Sequence, residues 1–326
     1  MSANRPFFSV VIPLYNKRPH IKRSVGSVLA QTFRDFELIV VDDGSTDGSL
    51  DEIENIDDSR LKICHKENGG AASARNLGTR EASAEYVAFL DADDEWHESF
   101  LEIIHLMSKV FPDAVMFSTG CQIVGSGPVR HKTIRHKKPY FIIEDYFSEF
   151  AKMCGPINNS SSSVVRKDYL INIGLFPVGY RNFEDWSVWF KLALLGPVAF
   201  SRQILSTIHL DSINREHHYD SDIGKLRTYC LLVEDIEIFL ATNKIEKQNI
   251  DLVFNSKAVS FLRNSIKKQD DTFIYEFKKS TLYKYLKLTQ KIAYLTWFRK
   301  IIFVLYRFTL FVRFFYSSRR EVAKSA

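Results

Sequence analysis

Short apolar runs alternate with amphipathic segments along the first third of the chain. Runs rich in Val, Ile, Phe and Tyr, each bounded by polar or turn residues, predict strands. They cover Phe8–Pro13, Phe36–Val41, Leu61–His65, Tyr86–Leu90 and Ala114–Ser118. The segments between them have helical spacing, at about His20–Gln31, Asp47–Asn55, Ala71–Ala82 and Glu98–Val110. This alternation predicts an α/β fold with a mostly parallel sheet and helices on both faces.

The pattern changes after Gly120. The stretch GSGPVRHKTIRHKKP is basic and rich in turn residues, which predicts a mobile surface loop. Strand-like and helical pieces resume at Ile143, and beyond Ser221 helix dominates, over Asp222–Leu240, Lys247–Ile266 and Thr272–Lys291. We therefore expect a first domain over 1–215, with halves 1–118 and 119–215, and a helical C-terminal region over 216–326.

Composition excludes several classes of protein. The chain is 45% hydrophobic, which is too apolar for a disordered protein. Its net charge of +5 comes from one segment, because residues 281–326 hold ten Lys or Arg and one acid, so that segment carries +9 and the rest −4. Overall basicity thus gives no argument for a nucleic-acid partner. The four cysteines form no CxxC pair, so we expect buried thiols rather than a zinc ribbon.

Polar clusters follow three of the predicted strands. They lie in VVIPLYN (10–16), VVDDGSTD (40–47) and FLDADDEW (89–96). In parallel sheets, ligands bind at the carboxyl ends of the strands. Asp91, Asp93 and Asp94 crowd negative charge at one such end, and a hard divalent ion, Mn²⁺ or Mg²⁺, shared with a diphosphate would relieve that crowding. An isolated DxD is also compatible with a solvated acidic turn.

Taken together, these strings resemble the family 2 glycosyltransferases, which have the GT-A nucleotide-sugar-binding fold. Two further strings add to the match, NGGAASARNLG (68–78) and FEDWSVWFKLALLG (183–196). The motifs occur in the family's order over about residues 7–212. The resemblance implies an inverting transfer of a sugar, by a hexosyl- or N-acetylhexosaminyltransferase, from a nucleotide-diphosphate donor such as a UDP-sugar to a hydroxyl of a glycan acceptor.

The resemblance also implies roles for individual residues. Those of the nucleotide-sugar pocket are Pro13, Tyr15, Asp42, Asp43, Asn68, Arg75 and Asp91. The metal ligands implied are Asp93, Asp91 and, from the string STIHLDS, His209. Many relatives carry Glu directly after the Asn of the first motif, where this chain has Lys17.

Glu184 and Asp185 match the acid pair of the family, in which the aspartate is the general base. The acceptor oxygen attacks the anomeric carbon opposite the departing diphosphate, so the base must lie across the sugar from the metal. A carboxylate that takes the proton of the acceptor hydroxyl contributes about 10²–10⁴-fold to the rate. Acids at this position are also typical of a helix N-terminus, where they interact with the helix dipole.

The segment 295–320 is basic and aromatic. It contains no uncharged run of about 20 residues, the length needed to span a bilayer. Placed on a helix at 100° per residue, Arg299, Lys300, Arg307 and Arg313 fall within an arc of about 140°. This pattern favours a helix on an anionic membrane surface, while a helix packed on protein is the alternative.

The N-terminus lacks the apolar stretch of a signal peptide, so we expect a cytoplasmic protein, peripheral on the inner face of the cell membrane. With the basic segment, this predicts a lipid-linked acceptor in the synthesis of a bacterial surface polysaccharide. Two other classes stay open: a nucleotidyltransferase, and a catalytically silent membrane-associated subunit that keeps the fold.

Overall fold

The computed structural model describes residues 5–153, 155–211, 221–268 and 270–286. Its strands are β1 (Phe8–Leu14), β2 (Phe36–Asp42), β3 (Leu61–His65), β4 (Tyr86–Phe89), β5 (Glu95–Trp96), β6 (Met116–Val124), β7 (Arg130–Lys132), β8 (Tyr140–Ile142), β9 (Ser163–Arg166) and β10 (Val198–His209). Its α-helices are α1 (Arg18–Leu29), α2 (Ala71–Glu81), α3 (Phe100–Val110), α4 (Tyr146–Lys152), α5 (Lys167–Asn172), α6 (Glu184–Leu195), α7 (Asp222–Asn243), α8 (Ile250–Lys268) and α9 (Asp271–Lys279).

The strands form one sheet in the order β3-β2-β1-β4-β9-β6-β10-β5, with β7 paired to β6 and β8 to β10. The neighbours β3, β2, β1 and β4 are all parallel, and we call them the parallel part. The remaining strands, the mixed part, contain the parallel pair β6–β10 but otherwise antiparallel pairs. The predicted α/β fold is confirmed.

Helices cover both faces of the parallel part, as the alternation of side chains along β1 shows. Val10 and Ile12 point into a core shared with Val25 of α1 and Ile104 of α3. Val11 points to the opposite face, against α2, where an added Cβ on Gly78 would lie 2.4 Å from its Cγ1. The sheet is therefore buried on both sides, which explains why its strands appear in the sequence as continuous apolar runs.

The prediction of a helix over Asp47–Asn55 is wrong, because this segment contains only the 3-10 turn Leu50–Glu52. Gly48 has a φ of +80°, which lies outside the helical region. The carboxylate of Asp47 accepts hydrogen bonds from the backbone of Arg18 at 3.0 Å and from the backbone of Ser49, so it links two loops rather than starting a long helix.

The prediction of a surface loop over 125–139 did not include a short strand. Within it lies β7, which pairs antiparallel with residues 121–123 of β6. The stretch contains no long apolar run because Arg130 and His131 of this edge strand are exposed to solvent.

The backbone contacts divide the chain into two compact units, Met1–Val253 and Phe254–Ala326. The predicted domain boundary near residue 215 falls in 212–220, outside the described residues, and stays a prediction. The basic aromatic segment 295–320 also lies outside them. No helix among the described residues is both long and apolar enough to cross a bilayer. Cys64, Cys121 and Cys230 are free thiols.

Candidate active site

The loops that follow β1 and β2 are tied together by hydrogen bonds. Asn16, with a φ of +51°, donates its backbone N–H to Ser45 Oγ at 3.1 Å, and its side-chain oxygen accepts from the Thr46 backbone at 2.8 Å. The next residue, Lys17, donates its backbone N–H to Ser49 Oγ at 2.9 Å. The polar ends of two parallel strands therefore form one fixed rim.

Asp43 joins a third loop to this rim. Its carboxylate accepts hydrogen bonds from the backbone N–H groups of Gly69 and Gly70 at 3.0 and 2.8 Å and forms an ion pair with Lys66. The side chain is almost fully buried. The glycine-rich segment before α2 is thus held against the end of β2 by one carboxylate.

These loops enclose a cavity of about 210 Å³ at the carboxyl edge of the parallel part. Most of the residues that the sequence singled out line it. They are Pro13, Tyr15, Asp43, Asn68, Arg75, Asp91, Asp93 and Glu184. Tyr15 is 45% exposed, so its ring is accessible at the wall of the cavity. Asp42, Asp185 and His209 are not among the lining residues.

Arg75 connects the acids that the sequence placed in separate motifs. Its Nη2 lies 2.7 Å from Asp91 Oδ1, and its Nη1 lies 3.0 Å from Glu184 Oε1. The guanidinium is buried, and its fork binds two carboxylates that lie 93 residues apart in the chain. The acid pair is therefore beside the DxD motif, and the expected role of Arg75 at the nucleotide stays a prediction.

Asp93 is also paired with a cation of the chain. Its Oδ2 lies 2.9 Å from Lys17 Nζ, and both side chains are largely buried in the cavity wall. The crowding of acids is thus balanced by Lys17 and Arg75, a solution that the sequence argument did not foresee.

Asp91 and Asp93 fit a divalent ion of the kind that the sequence predicts. Mg²⁺ and Mn²⁺ in nucleotide sites are held by one or two carboxylates plus the phosphates of the substrate, and the cavity presents two carboxylates. Within the described residues, no group of three His, Cys, Asp or Glu side chains is placed to hold a metal ion.

Asp94, the third acid of the motif, has a structural role. It is fully buried, its Oδ2 accepts from Ser161 Oγ at 2.6 Å, and its Oδ1 accepts from the His209 backbone at 3.0 Å. Burial and the neighbouring charges of Asp93 and Asp91 raise the pKa of Asp94 well above its usual range. Asp94 therefore fixes β10 and the turn Ser160–Ser162 to the DxD motif.

His209 lies close to this motif, and its side chain pairs with Glu95. The Nε2 atom is 3.0 Å from Glu95 Oε1. The structure thus brings His209 next to Asp94 through its backbone and pairs its imidazole with Glu95. Its role as a metal ligand stays a prediction.

Asp185 begins α6 beside Glu184. Burial, followed by the charge of Glu184, raises the pKa of Asp185 to about 7, while Arg75 acts in the opposite direction. The preceding Phe183, the N-cap of α6, has a φ of +67°, which is uncommon for a bulky residue. This backbone conformation sets the direction in which the helix begins. The indole of the next residue, Trp186, packs against Phe150 and Phe183.

Sequence reasoning missed Lys66 and Ser161 as polar contributors, and it noted Lys17 only as a departure from the Glu of many relatives. Lys17 and Lys66 are ordinary surface residue types, and only the fold brings them to Asp93 and Asp43. Ser161 had a signal, the polar run NNSSSS at 158–163, which is too polar for a buried segment unless its hydroxyls are paired. Here they are: Ser161 Oγ accepts from the Asp91 backbone and donates to Asp94.

Comparison with known proteins places the chain in a family. Residues 9–170 match the family described as glycosyl transferase family 2. The chain is 31% identical over 186 residues to UDP-Glc:alpha-D-GlcNAc-diphosphoundecaprenol beta-1,3-glucosyltransferase WfgD of Escherichia coli, covering 56% of this chain and 68% of that one. This chain belongs to glycosyltransferase family 2. Other curated relatives are longer, and the match spans about a third or less of three of them.

Solved structures share the fold. Staphylococcus aureus TarS 1–349 in complex with UDP-GlcNAc has a TM-score of 0.64 and 21% identity, over 80% of this chain and 72% of that one. The mannosyltransferase PcManGT of Pyrobaculum calidifontis, in complex with GDP-Man and Mn²⁺, has a TM-score of 0.55 and 17% identity, over 90% and 83% of the two chains. At such identities the likeness is one of GT-A fold.

Proposed function

We propose that this protein transfers a hexosyl or N-acetylhexosaminyl group from a UDP-sugar to a hydroxyl of a glycan acceptor, with inversion at the anomeric carbon. The observation that carries the proposal is the bridge made by Arg75, which brings Asp91 of the DxD motif and Glu184 of the acid pair to one cavity. Nucleotide-diphosphate sugars are bound by the two solved neighbours, TarS and PcManGT.

In this proposal the rim of the cavity binds the nucleoside. The exposed ring of Tyr15 offers a face for the base, and Asp43 keeps the glycine loop and Asn68 in place. Asp42 has a supporting role, because its Oδ1 accepts from the Ser45 backbone at 3.0 Å.

Asp93 and Asp91 hold Mn²⁺ or Mg²⁺ in the proposed mechanism. A bound divalent ion offsets the negative charge that develops on the leaving diphosphate. The ion would then compete with Lys17 for Asp93, because the Lys17 ammonium occupies Oδ2 of that carboxylate.

Asp185 is the proposed general base. It takes the proton of the acceptor hydroxyl as the oxygen attacks the anomeric carbon, and a base whose pKa lies near 7 suits this task at neutral pH. Glu184 stays paired with Arg75 and keeps the start of α6 oriented toward the cavity.

A phosphate-bearing acceptor, such as a lipid-linked glycan, is consistent with the charge of the mixed part. The chain has no acid between Asp113 and Glu144, and Arg130 of β7 and Lys137 after it are exposed. Half-buried Lys132 belongs to the same strand, and Asp185 is among the charges that act on its pKa, so β7 lies on the side of the proposed base. WfgD, by its name, uses an acceptor on diphosphoundecaprenol.

Membrane association through residues 295–320 belongs to the same proposal. Arg299, Lys300, Arg307 and Arg313 would attract anionic headgroups with about 1 kcal/mol each, and salt would screen this attraction. Truncation after Tyr294 should abolish co-sedimentation with anionic vesicles. Co-sedimentation that survives the truncation would contradict the role of the segment.

Hydrolysis of a panel of nucleotide sugars in the presence of Mn²⁺ tests the proposed reaction. We expect release of a nucleoside diphosphate from one donor, and loss of both turnover and tight diphosphate binding in Asp93→Ala. With inorganic pyrophosphate added, its consumption to give a nucleoside triphosphate and a sugar phosphate from the nucleotide sugar would instead indicate a nucleotidyltransferase. Absence of donor binding and turnover would indicate a catalytically silent subunit.

A further inference from the structure

The ion pair between Lys17 and Asp93 lies inside the proposed donor site. The ammonium Nζ is 2.9 Å from Asp93 Oδ2, with 13% and 7% of the two side chains exposed. Both residues line the cavity, together with Asp91. A charged carboxylate buried to this degree is costly without a partner charge, and Lys17 is the cation that lies against it.

The backbone fixes where the Lys17 side chain starts. Its N–H donates to Ser49 Oγ, and its carbonyl oxygen accepts from the backbone of His20 and Ile21 at 2.9 and 3.0 Å. Lys17 is thus the N-cap of α1, and these contacts involve only its main-chain atoms. A changed side chain at this position leaves them in place.

Arg75 and Lys17 differ in how readily they can leave their carboxylates. Arg75 binds Asp91 and Glu184 at once with a rigid planar fork, and it is buried. Lys17 ends in a point charge on a flexible four-carbon stem. Of these two cations, Lys17 is therefore the one suited to exchange.

We propose that Lys17 is an internal counter-ion that competes with the divalent metal for Asp93 and makes tight metal binding depend on the nucleotide diphosphate. This inference rests on the proposed function, which assigns Asp93 to the metal. Lys17 is then a positioning residue: it keeps the Asp93 carboxylate in place and yields it when the metal and the donor arrive together.

The physical reason is the charge that remains after exchange. A metal ion that takes Asp93 without a nucleotide leaves the displaced ammonium beside a dication, and like charges at short range repel. A diphosphate brings negative charge that pairs with both cations. Metal and nucleotide should therefore strengthen each other's binding, and this coupling is reciprocal.

Measured Mn²⁺ affinities of the whole chain test the proposal, without and with UDP. In Lys17→Met, the affinity for Mn²⁺ alone should rise by about fivefold or more over wild type, and the enhancement by UDP should shrink by a similar factor, in the range of known coupling energies. Lys17→Arg keeps the cation and should keep weak binding of Mn²⁺ alone. Electron paramagnetic resonance of free Mn²⁺ gives these affinities independently of turnover.

Lys22→Met is the matched control. Lys22 lies on the exposed side of the same helix, and its replacement changes the net charge by the same amount. Its Mn²⁺ affinity should equal that of wild type, and thermal unfolding should confirm that all variants are folded.

An affinity for Mn²⁺ alone that is unchanged or lower in Lys17→Met overturns the inference, as does an equal rise in Lys22→Met. The outcome is separate from that of the proposed reaction. If Lys17→Met gains Mn²⁺ affinity but no nucleotide sugar is hydrolysed, the counter-ion role stands and the transferase proposal fails. If the donor is hydrolysed but the Mn²⁺ affinity of Lys17→Met is unchanged, the transferase proposal stands and the counter-ion role fails.

Discussion

The parallel and mixed parts of the sheet contribute to the candidate site in different ways. The parallel part supplies loops at strand ends, tied to one another through Asn16 and Asp43. The mixed part instead contributes α6, a helix that follows β9 in the sequence and begins with Glu184 and Asp185. The aromatic side chains of this helix are buried and exclude water. Loops with many backbone donors suit binding of a nucleotide, whereas a desolvated carboxylate suits proton transfer.

The comparison also separates two ways of handling negative charge. In the cavity wall, Asp43, Asp91 and Asp93 are each neutralised by a cation of the chain. Asp185 has no salt bridge within the described residues, and its pKa is raised to about 7 because it is buried beside Glu184. The first three acids are thus each held by a cation of the chain, while Asp185 can gain and lose a proton in the neutral range.

The largest effect is expected from a substitution in the acid pair that leaves the strand-end loops unchanged. Asp185→Asn keeps nearly the same shape but cannot accept a proton, so kcat should fall by about a hundredfold or more. Donor affinity should stay near that of wild type, because the cavity lining is unchanged. Steady-state kinetics with nucleotide titration measure both, and an active Asp185→Asn beside an inactive Glu184→Gln would mean that the two roles are reversed.

The pH dependence of turnover sharpens the same contrast. The carboxylate form of Asp185 is the active one, and its pKa of about 7 means that kcat should rise about tenfold per pH unit below pH 7 and level off above it. The direction follows from the raised pKa: at pH 5 to 6 most molecules carry a protonated Asp185. A kcat profile that is flat over this range would contradict the assignment, whereas donor affinity has no reason to follow the same curve.

A smaller effect, on nucleotide affinity, is expected from a substitution that disrupts the strand-end loops. Asp43→Ala removes the acceptor of the Gly69 and Gly70 N–H groups and the partner of Lys66. Loss of such a partner costs about 1–3 kcal/mol per buried group, so nucleotide affinity should weaken while the proton-transfer step is spared. Isothermal titration with UDP measures the loss, and Lys62→Ala, which removes an exposed ion pair with Glu81, is the control.

The two parts also differ in how well the sequence predicted them. In the parallel part, strands buried on both faces appear as apolar runs, and α2 begins directly after Gly70. The predicted bounds of these elements agree with the structure to within about two residues. The predicted helix at Asp47 failed because Gly48 takes a positive φ. The pattern of hydrophobic and polar residues did not reveal this backbone conformation of Gly48.

The mixed part was harder to predict because its pairings are non-local. Strand β9 inserts antiparallel between β4 and β6, and β10 pairs with β6 through register shifts at Ile204. These features depend on hydrogen bonds such as that of Ser161 with Asp94, which join residues 67 positions apart. For the same reason, the site acids were predictable as motifs, but their partners Lys17 and Arg75 were not predictable as counter-ions.

Two glycines test how closely helix and sheet are packed in the parallel part, with the smallest expected effects. At Gly78 of α2 an added Cβ would lie 2.4 Å from Val11 Cγ1, too close for a real contact, so Gly78→Ala should lower the free energy of unfolding by about 1–3 kcal/mol. At Gly26 of α1 an added Cβ meets no atom within 4 Å, and Ala is the better helix former, so Gly26→Ala should raise that free energy by up to about 1 kcal/mol. Denaturant unfolding measures both changes. Changes of opposite sign in the free energy of unfolding support close packing of α2 on β1 and open space beside α1. No change in Gly78→Ala would show that β1 and α2 can move apart. The rim at the ends of these elements would then be less fixed than its hydrogen bonds indicate.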